Sequence, residues 1–241
     1  MTTHPLWRPF TPGANAARQA ERVASRQTAP GAVQAHDEGW REQFEEISRV
    51  LTESIGDLAL SIHHVGSTSV PGLAAKPVID VDLTVPDVED EHRYLPRLEA
   101  AGFRLIFRDV MSGDPHRQLT FARPNTNLHV WSPSAIEPQR HTVFTDWLKK
   151  NPTDRHRYNA AKAAASTADG TARYNDLKAA AVYDIYERAF IADPRHDHDP
   201  HPRPGRVAGA ASGTSVPRTE TDYGRLFRGD AAHLREYPTG S

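Results

Sequence analysis

The chain of 241 residues contains no cysteine, which limits the chemistry open to it. Without a thiol, disulfides, thiolate zinc sites and cysteine nucleophiles are all excluded. Any catalysis would therefore have to use carboxylate, imidazole, amine, guanidinium or hydroxyl groups.

Charge of one sign and long apolar runs are lacking as well. The formal net charge is −2 and the sequence pI is about 6.7, so the chain has no electrostatic footprint for nucleic acid. No apolar stretch approaches the length of a bilayer, and the first residues, MTTHPLWRPF, lack the basic and then apolar layout of a signal peptide. These absences predict a cytoplasmic protein without a nucleic-acid or membrane partner.

Apolar residues make up 38% of the chain, which is little for a single folded domain of this length. We therefore predict one core domain with polar ends. The expected division is an N-terminal extension, a core domain and a Pro/Gly-rich tail that is disordered or loosely docked, at 1–32, 33–191 and 192–241. The tail histidines His196, His198 and His201 could hold a metal adventitiously, and residues 223–237 could form a short docking helix.

The most informative stretch covers residues 63–85 and reads as strand, Gly-Ser turn, short helix and second strand. Gly66 allows a sharp turn with close backbone approach. The hydroxyl residues that follow can cap a helix whose free N–H groups suit a phosphate: Ser67, Thr68 and Ser69. Lys76 could reach that phosphate, or could simply complement the dipole at the end of the helix.

The second strand of this stretch carries Asp80 and Asp82. Their spacing places both carboxylates on one face of the strand, where like charges repel. A divalent cation would resolve the repulsion, and one or two carboxylates completed by substrate phosphates are the usual arrangement for Mg²⁺. A solvated strand edge is the structural alternative.

Gly66-Ser67, a spacer and Asp80-Val81-Asp82 resemble the signature of the nucleotidyltransferase (polymerase-beta-like) superfamily. The segment GSTSVPGLAAKPVIDVDL resembles the GrpB family in particular. The likeness continues more loosely through Arg117-Gln118-Leu119 and Asn127-Leu128-His129-Val130, over roughly residues 33–191. It implies an α/β fold: a small nucleotidyltransferase-like mixed sheet flanked by helices, with a helical C-terminal part. It also implies Mg²⁺ or Mn²⁺ as cofactor, with ATP or another nucleoside triphosphate as substrate.

The resemblance extends the candidate site to four further residues. Arg117 could bind phosphate or carboxylate through its guanidinium fork, or form a surface salt bridge. His129 stands where the superfamily has a third acidic residue, so it could belong to a one-metal or Mn²⁺ site, act as a base or hydrogen-bond donor, or be a buried structural histidine. Lys162 and Lys178 each follow a tyrosine by one helical turn and could either reach phosphates or extend to solvent.

The remaining pattern predicts helices at 37–53 and 87–101, a strand at 103–107, a loop at 109–116 and strands at 118–122 and 128–131, with helices in the last third.

Two functional hypotheses follow from these residues. In the first, a metal-dependent enzyme transfers a nucleotidyl group from a nucleoside triphosphate to a small-molecule acceptor, and an adenylate leading to an amide would use the same apparatus. In the second, the domain is a non-catalytic nucleotide- or CoA-binding module, as GrpB-like domains fused to dephospho-CoA kinase suggest. Turnover of nucleotide separates the two hypotheses.

Overall fold

A computed structural model describes residues 1–9, 21–166 and 171–201. Its centre is one six-stranded mixed sheet with the strand order β1-β4-β5-β6-β3-β2. The strands are β1 (Glu21–Arg22), β2 (Ser61–Val65), β3 (Ile79–Thr84), β4 (Arg104–Met111), β5 (Asp114–Phe121) and β6 (Thr126–Trp131). Only the β3–β6 pair in this sheet is parallel, and the other neighbours are antiparallel.

Five helices occur in the described part of the chain. They are α1 (Gly39–Ile55), α2 (Glu91–Ala100), α3 (Glu137–Lys150), α4 (Pro152–Ser166) and α5 (Thr171–Ile191). Short 3₁₀ turns cover Gly56–Leu58 and Ser67–Ser69. The expected small mixed sheet with flanking helices and a helical C-terminal part is therefore confirmed. No helix of the described residues is both long and apolar enough to cross a membrane.

The two faces of the sheet meet different surroundings because alternate residues of each strand point in opposite directions. On β3, Ile79, Val81 and Leu83 pack with α1 and α2 in the larger apolar core. A second apolar cluster joins α3, α4 and α5 with Val70 and Leu73, which follow the Gly-Ser turn. The aspartates of β3 take the alternate positions, so they lie on the face opposite the larger core.

The segment 109–116 is not a loop, as the sequence pattern indicated, but the tip of a hairpin. Ser112 and Gly113 join β4 to β5 with φ angles of 51° and 93°. Two successive positive φ angles are typical of the tight turns that link antiparallel strands. The hairpin pairs Asp109 with His116, and both side chains are buried.

The N-terminal extension and the beginning of the tail pack against the domain and against each other. His4 is buried and its Nε2 lies 3.2 Å from Asp193 Oδ2. The indole of Trp7 donates a 2.7 Å hydrogen bond to Glu187 on α5, and the backbone N–H of His201 donates to the same carboxylate at 2.8 Å. Residues 1–9 and 192–201 thus dock together on α5, whereas the docking helix expected at 223–237 lies outside the described residues.

Candidate functional site

Gly66 connects β2 to the turn at Ser67–Ser69 in a conformation that needs glycine. Its φ and ψ are 69° and −170°, a region that residues with a side chain rarely occupy. A Cβ at this position would lie 2.4 Å from Asp80 Oδ2, because Val65 and Asp80 are direct partners across β2 and β3. The glycine therefore brings the backbone of the turn against the first aspartate.

Two of the three hydroxyl groups after Gly66 form hydrogen bonds that stabilise the turn, and the third contacts a lysine. Thr68 donates to Val78 O at 3.2 Å and contacts His64 Nε2 at 3.0 Å, while Ser69 donates to Gly66 O at 2.8 Å. Ser67 Oγ instead accepts a hydrogen bond from Lys162 Nζ at 3.4 Å. Of the three hydroxyl residues predicted to bind phosphate, Ser67 is the one that contacts the Lys162 ammonium group.

Lys76 does not stand at the end of a helix, contrary to the predicted local structure. The helical part is only the 3₁₀ turn at Ser67–Ser69, and Lys76 follows Ala75, which forms an isolated bridge with Gln34. Pro71-Gly72 and Lys76-Pro77, at the two ends of this segment, favour turns over a longer helix. The half-buried Lys76 therefore has no helix dipole to complement.

Lys162 reaches the Gly-Ser turn from α4, and Lys178 on α5 lies close enough to Lys162 for its charge to lower the pKa of Lys162. Both side chains are buried, with 4% and 8% of their surface exposed. Lys162 Nζ also donates to the carbonyl of Ala74 and lies 4.6 Å from the centre of the Tyr158 ring. Burial, with a smaller contribution from the charge of Lys178, lowers the pKa of Lys162 from 10.5 to about 7. A phosphate at this place would favour the charged ammonium form of Lys162.

The lowered pKa of Lys162 predicts a dependence of stability on pH. Between pH 7 and 10.5 the unfolded chain carries a proton on Lys162 that the folded chain lacks, so stability gains from rising pH in that window. We expect Lys162→Met to lose this gain, which amounts to on the order of 3 kcal/mol of unfolding free energy between pH 7 and 9.5.

Urea unfolding at the two pH values measures the difference. Lys149→Met, which removes an exposed lysine, should keep the pH dependence of the unsubstituted protein. Parallel pH dependence in Lys162→Met and the unsubstituted protein would contradict the assigned pKa.

Asp80 is half-buried and linked to the N-terminal extension through an amide. Asn127, its partner in the β3–β6 register, donates from Nδ2 to Asp80 Oδ1 at 2.8 Å. The Asn127 oxygen accepts from Arg26, which also donates to Asn125 Oδ1 at 3.0 Å. Arg26 precedes β2 by many residues and carries no local motif, so the sequence did not identify it.

Asp82 is buried beneath two side chains that donate to it. Trp131 Nε1 donates to Oδ1 at 3.0 Å, His141 Nδ1 lies 2.7 Å from Oδ2, and only 1% of the residue is exposed. Burial opposes the charge of both partners, yet their mutual attraction prevails: it lowers the pKa of Asp82 and raises that of His141. Between pH 3.8 and 6.5 both shifts favour a carboxylate paired with an imidazolium.

These contacts bear on the predicted metal site. The carboxylate of Asp82 is already balanced by His141, so Asp80 and Asp82 do not form the open pair of ligands that the spacing predicted. Among the described residues, groups of three His or carboxylate ligand atoms within 4.8 Å of one another occur at the docked termini. The residues fit a single divalent cation held by Asp80 and completed by substrate phosphates; they do not fit two cations bridged by both aspartates.

His129 lies directly beside Asp82 in the parallel register, as its place in the pattern indicated. Its Nδ1 is 3.0 Å from His116 Nε2, and His116 Nδ1 is 2.5 Å from Asp109 Oδ1. Burial and the neighbouring His116 lower the pKa of His129 to about 3. His129 is therefore neutral at physiological pH.

Arg117 is not brought together with the aspartates. It pairs with Val130 across β5 and β6 and shares the strand face of Leu119, which belongs to the larger core. Its Nε donates to Glu91 at the beginning of α2, together with Arg108. The period of two along β5 directs Arg117 away from the site and directs His116 toward it.

The alternation of polar residues along β5 is a sequence pattern that indicates a polar face on this strand, and the motifs alone do not identify it. His116, Gln118 and Thr120 alternate along the strand, and all three are buried on the face of Asp82 and His129. Buried polar residues at period two indicate a polar interior rather than an apolar core. His141, on α3, has no comparable signal, because its partner Asp82 is 59 positions away.

Comparisons with known proteins agree with the likeness found in the motifs. A UPF0157 protein of Halalkalibacterium halodurans is 38% identical over 158 residues, which covers 64% of this chain and 80% of that protein. The crystal structure of the conserved protein GrpB from Enterococcus faecalis superposes with a TM-score of 0.56 at 29% identity, covering 66% of this chain and 97% of that one.

A longer protein shares the domain as well. The dephospho-CoA kinase of Mycobacterium tuberculosis H37Rv is 32% identical over 201 residues, which covers 71% of this chain but only 49% of the kinase. The family described as GrpB protein matches residues 30–188, a span that contains Gly66, both aspartates and both site lysines. The chain therefore belongs to the GrpB family.

Proposed function

We propose that this protein binds a nucleoside triphosphate at the Gly66–Ser67 turn and transfers its nucleotidyl group to a small-molecule acceptor. The observation that carries the proposal is the approach of three features within one site: a turn whose backbone favours glycine, a carboxylate against it and the buried Lys162 beside it, with the buried Lys178 close to Lys162. Buried lysines next to a close backbone turn are suited to phosphate oxygens.

Each residue of the site would have a distinct role in binding and transfer. The backbone at Gly66 and the hydroxyl of Ser67 hold the β- and γ-phosphates, and Lys162 and Lys178 balance their charge. Asp80 holds Mg²⁺ or Mn²⁺, which supplies charge neutralisation at the phosphates when bound. Attack by the acceptor in line at the α-phosphorus forms a new phosphoester or acyl-phosphate bond and releases pyrophosphate. Positioning and electrostatic stabilisation would supply most of the rate.

In this proposal Asp82 has a structural role, not the role of metal ligand that its spacing from Asp80 suggested. Its ion pair with His141 ties β3 to α3, and so fixes the strand that carries Asp80. Arg117, on the opposite face, is not needed for phosphate binding, and Lys76, Thr68 and Ser69 shape the approach to the turn.

A second candidate function is a nucleotide- or CoA-binding module without turnover. The observation that favours it is the engagement of Asp82 by His141 and Trp131, together with a histidine at the position of a third carboxylate. The dephospho-CoA kinase relatives are consistent with such a role, because CoA also carries a diphosphate.

The first test is calorimetric titration with ATP, GTP, CTP, UTP and CoA, each with Mg²⁺, with Mn²⁺ and without metal. The second is an assay for released pyrophosphate in the presence of added alcohols, amines and carboxylates. We expect metal-dependent triphosphate binding that weakens at least about tenfold in Asp80→Asn, which corresponds to about 1.4 kcal/mol. Asp57→Asn, which changes an exposed carboxylate in the 3₁₀ turn before β2, is the matched control.

The outcomes separate the candidates. Pyrophosphate release that depends on Asp80 supports the transferase. Tight binding of nucleotide or CoA without release under any acceptor supports the binding module. Failure to bind any of these ligands with either metal would overturn both candidates.

A further inference from the structure

The segment of residues 21–34, which we call the strap, runs from the edge of the sheet to the candidate site. It begins as β1, which pairs with β4. Further along, Gln27 Oε1 accepts a 3.3 Å hydrogen bond from Thr120 Oγ1 on the polar face of β5. Gln34, at the end of the strap, forms a bridge with Ala75, between the Gly-Ser turn and β3. The strap thus connects the edge strand with the segment that carries the site.

Arg26 of the strap contacts two asparagines at the beginning of β6. Its guanidinium group donates to Asn127 Oδ1 and, at 3.0 Å, to Asn125 Oδ1. Asn127 has 0% of its surface exposed, and its Nδ2 donates to Asp80 Oδ1 at 2.8 Å. The amide of Asn127 therefore stands between a guanidinium group and the first aspartate. Arg26 precedes the span that matches the family, residues 30–188.

The orientation of the Asn127 amide is fixed because a guanidinium group only donates hydrogen bonds. The atom of Asn127 that meets Arg26 must be its oxygen, so its NH₂ group faces Asp80. This holds for either protonation state of Asp80, because an NH₂ group needs an acceptor and each carboxyl oxygen has a lone pair. Asn125 is fixed independently: its Nδ2 donates to Ala29 O at 2.8 Å, so its oxygen faces Arg26.

The two oxygens of Asp80 consequently have different surroundings. Oδ1 accepts the hydrogen bond from Asn127. Oδ2 is the oxygen that faces the Gly-Ser turn, since a Cβ on Gly66 would lie 2.4 Å from it. A hydrogen bond to Oδ1 restricts rotation of the carboxylate and so keeps Oδ2 at the turn. Hydrogen bonds of this kind orient carboxylates that bind metals.

We propose that Arg26 and Asn127 are positioning residues that hold Asp80 Oδ2 toward the Gly-Ser turn as the ligand atom for the divalent cation. This inference deepens the proposed function and rests on it for the ligand, a metal-bound triphosphate. Arg26 acts through Asn127, because the guanidinium group fixes the amide and the amide fixes the carboxylate. Without Arg26 the amide can turn over and present its oxygen to Asp80, which repels the carboxylate.

The positioning can be measured without any ligand. In the ¹⁵N-labelled full chain, magnetisation transfer from water gives the exchange rate of the Asn127 Nδ2 protons, and Asn127→Ala identifies their signals. We expect slow exchange that becomes about tenfold faster in Arg26→Met, the factor for one lost hydrogen bond. Arg22→Met is the matched control, because it removes an arginine of the same strap that lies over Phe107 instead, and it should leave the rate unchanged.

Two results of this measurement would overturn the proposal. One is fast exchange in the unsubstituted protein, or an equal rate in Arg26→Met. The other is a parallel increase at the backbone amides of β3 and β6, which would show a general loosening of the sheet instead of a freed amide.

Binding of Mn²⁺ in the presence of ATP tests whether Arg26 acts through Asn127. We expect Arg26→Met and Asn127→Ala each to weaken Mn²⁺ binding about tenfold, as is typical when a partner of a metal ligand is removed. The double variant should bind no more weakly than Asn127→Ala alone. Additive losses would overturn the proposal, and if Arg26→Met does not fold, unchanged Mn²⁺ binding in Asn127→Ala overturns it instead.

The two measurements separate this inference from the proposed function. Faster Nδ2 exchange in Arg26→Met, in a protein that binds no triphosphate with either metal, would remove the proposed function and leave the positioning of Asp80 by Arg26. Unchanged exchange in a protein that binds Mn²⁺ with ATP would remove the positioning and leave the proposed function.

Discussion

Gly66→Ala is expected to destabilise the fold and to abolish nucleotide binding together. The backbone at φ 69° and ψ −170° costs a residue with a side chain about 1–3 kcal/mol. The new Cβ would also lie 2.4 Å from Asp80 Oδ2, so either the turn or the aspartate must move. We expect a loss of about 3 kcal/mol in the free energy of unfolding from these two effects combined.

Urea unfolding and calorimetry on the same preparation measure the two losses. Gly56→Ala is the matched control for backbone strain, because Gly56 also has a positive φ, of 55°, but a Cβ there would meet nothing within 4 Å. Gly56→Ala should lose stability yet keep nucleotide binding. Full nucleotide binding by folded Gly66→Ala would contradict the role of the turn.

Asp82→Asn is expected to cost the most stability of the site substitutions. His141 is 2% exposed, and without the carboxylate its charge would be buried and uncompensated, so it must become neutral. Removing one partner of a buried ion pair typically costs about 3–5 kcal/mol. Asp57→Asn, at an exposed carboxylate, should change stability by less than about 0.5 kcal/mol.

The sign of the pH dependence follows from the two shifted pKa values. Because the pKa of Asp82 is lowered in the folded protein, the ionised carboxylate stabilises the fold above pH 3.8, the pKa in the unfolded chain. This stabilisation is lost as the pH falls through the pKa of Asp82 in the folded protein. Because the pKa of His141 is raised in the folded protein, the charged imidazolium stabilises the fold below pH 6.5, the pKa in the unfolded chain. This stabilisation is lost as the pH rises through the pKa of His141 in the folded protein. The loss in Asp82→Asn should therefore be largest between about pH 4 and 6.5.

A double-mutant cycle identifies the partner. Because the two side chains act as a pair, Asp82→Asn/His141→Gln should be less destabilised than the sum of the single substitutions, by about 0.5–3 kcal/mol. Additive losses in urea unfolding at pH 6 would contradict the ion pair.

The local part of the site could be predicted from the sequence because its signals are local. Gly66, Ser67 and Asp80 lie within fifteen positions of one another. The pairing of β2 with β3, two strands joined by this short segment, brings Gly66 against Asp80. The flanking helix α1 was equally accessible, since Trp40, Ile47 and Leu51 recur at helical spacing and are buried.

The partners of Asp82 could not be predicted because they come from distant segments. The distance in sequence to Trp131 is 49 positions and to His141 it is 59 positions. A single sequence gives the spacing of two carboxylates but not which cation balances them. Arg117 shows the opposite failure: its motif was recognised, but the face of β5 on which it lies depends on the register with β6, which a motif does not encode.

The hairpin at 109–116 was missed because its turn residues dominate the pattern. Ser112, Gly113 and Pro115 read as a loop, although a two-residue turn needs only two of these positions. The contact of Asp109 with His116 follows from the pairing of β4 with β5, and that of His116 with His129 follows from the pairing of β5 with β6.

The most direct test of the account is the place where Mn²⁺ and a nucleoside triphosphate bind. Paramagnetic Mn²⁺ broadens nearby amide signals, and the docked termini, where His4, Asp193 and His196 cluster, offer a competing position for the metal. We predict that Mn²⁺ with the triphosphate broadens the amide signals of Gly66, Ser67 and Asp80 first, and that Asp80→Asn abolishes this broadening. Broadening confined to the terminal histidines, or unchanged at Gly66 in Asp80→Asn, would contradict it.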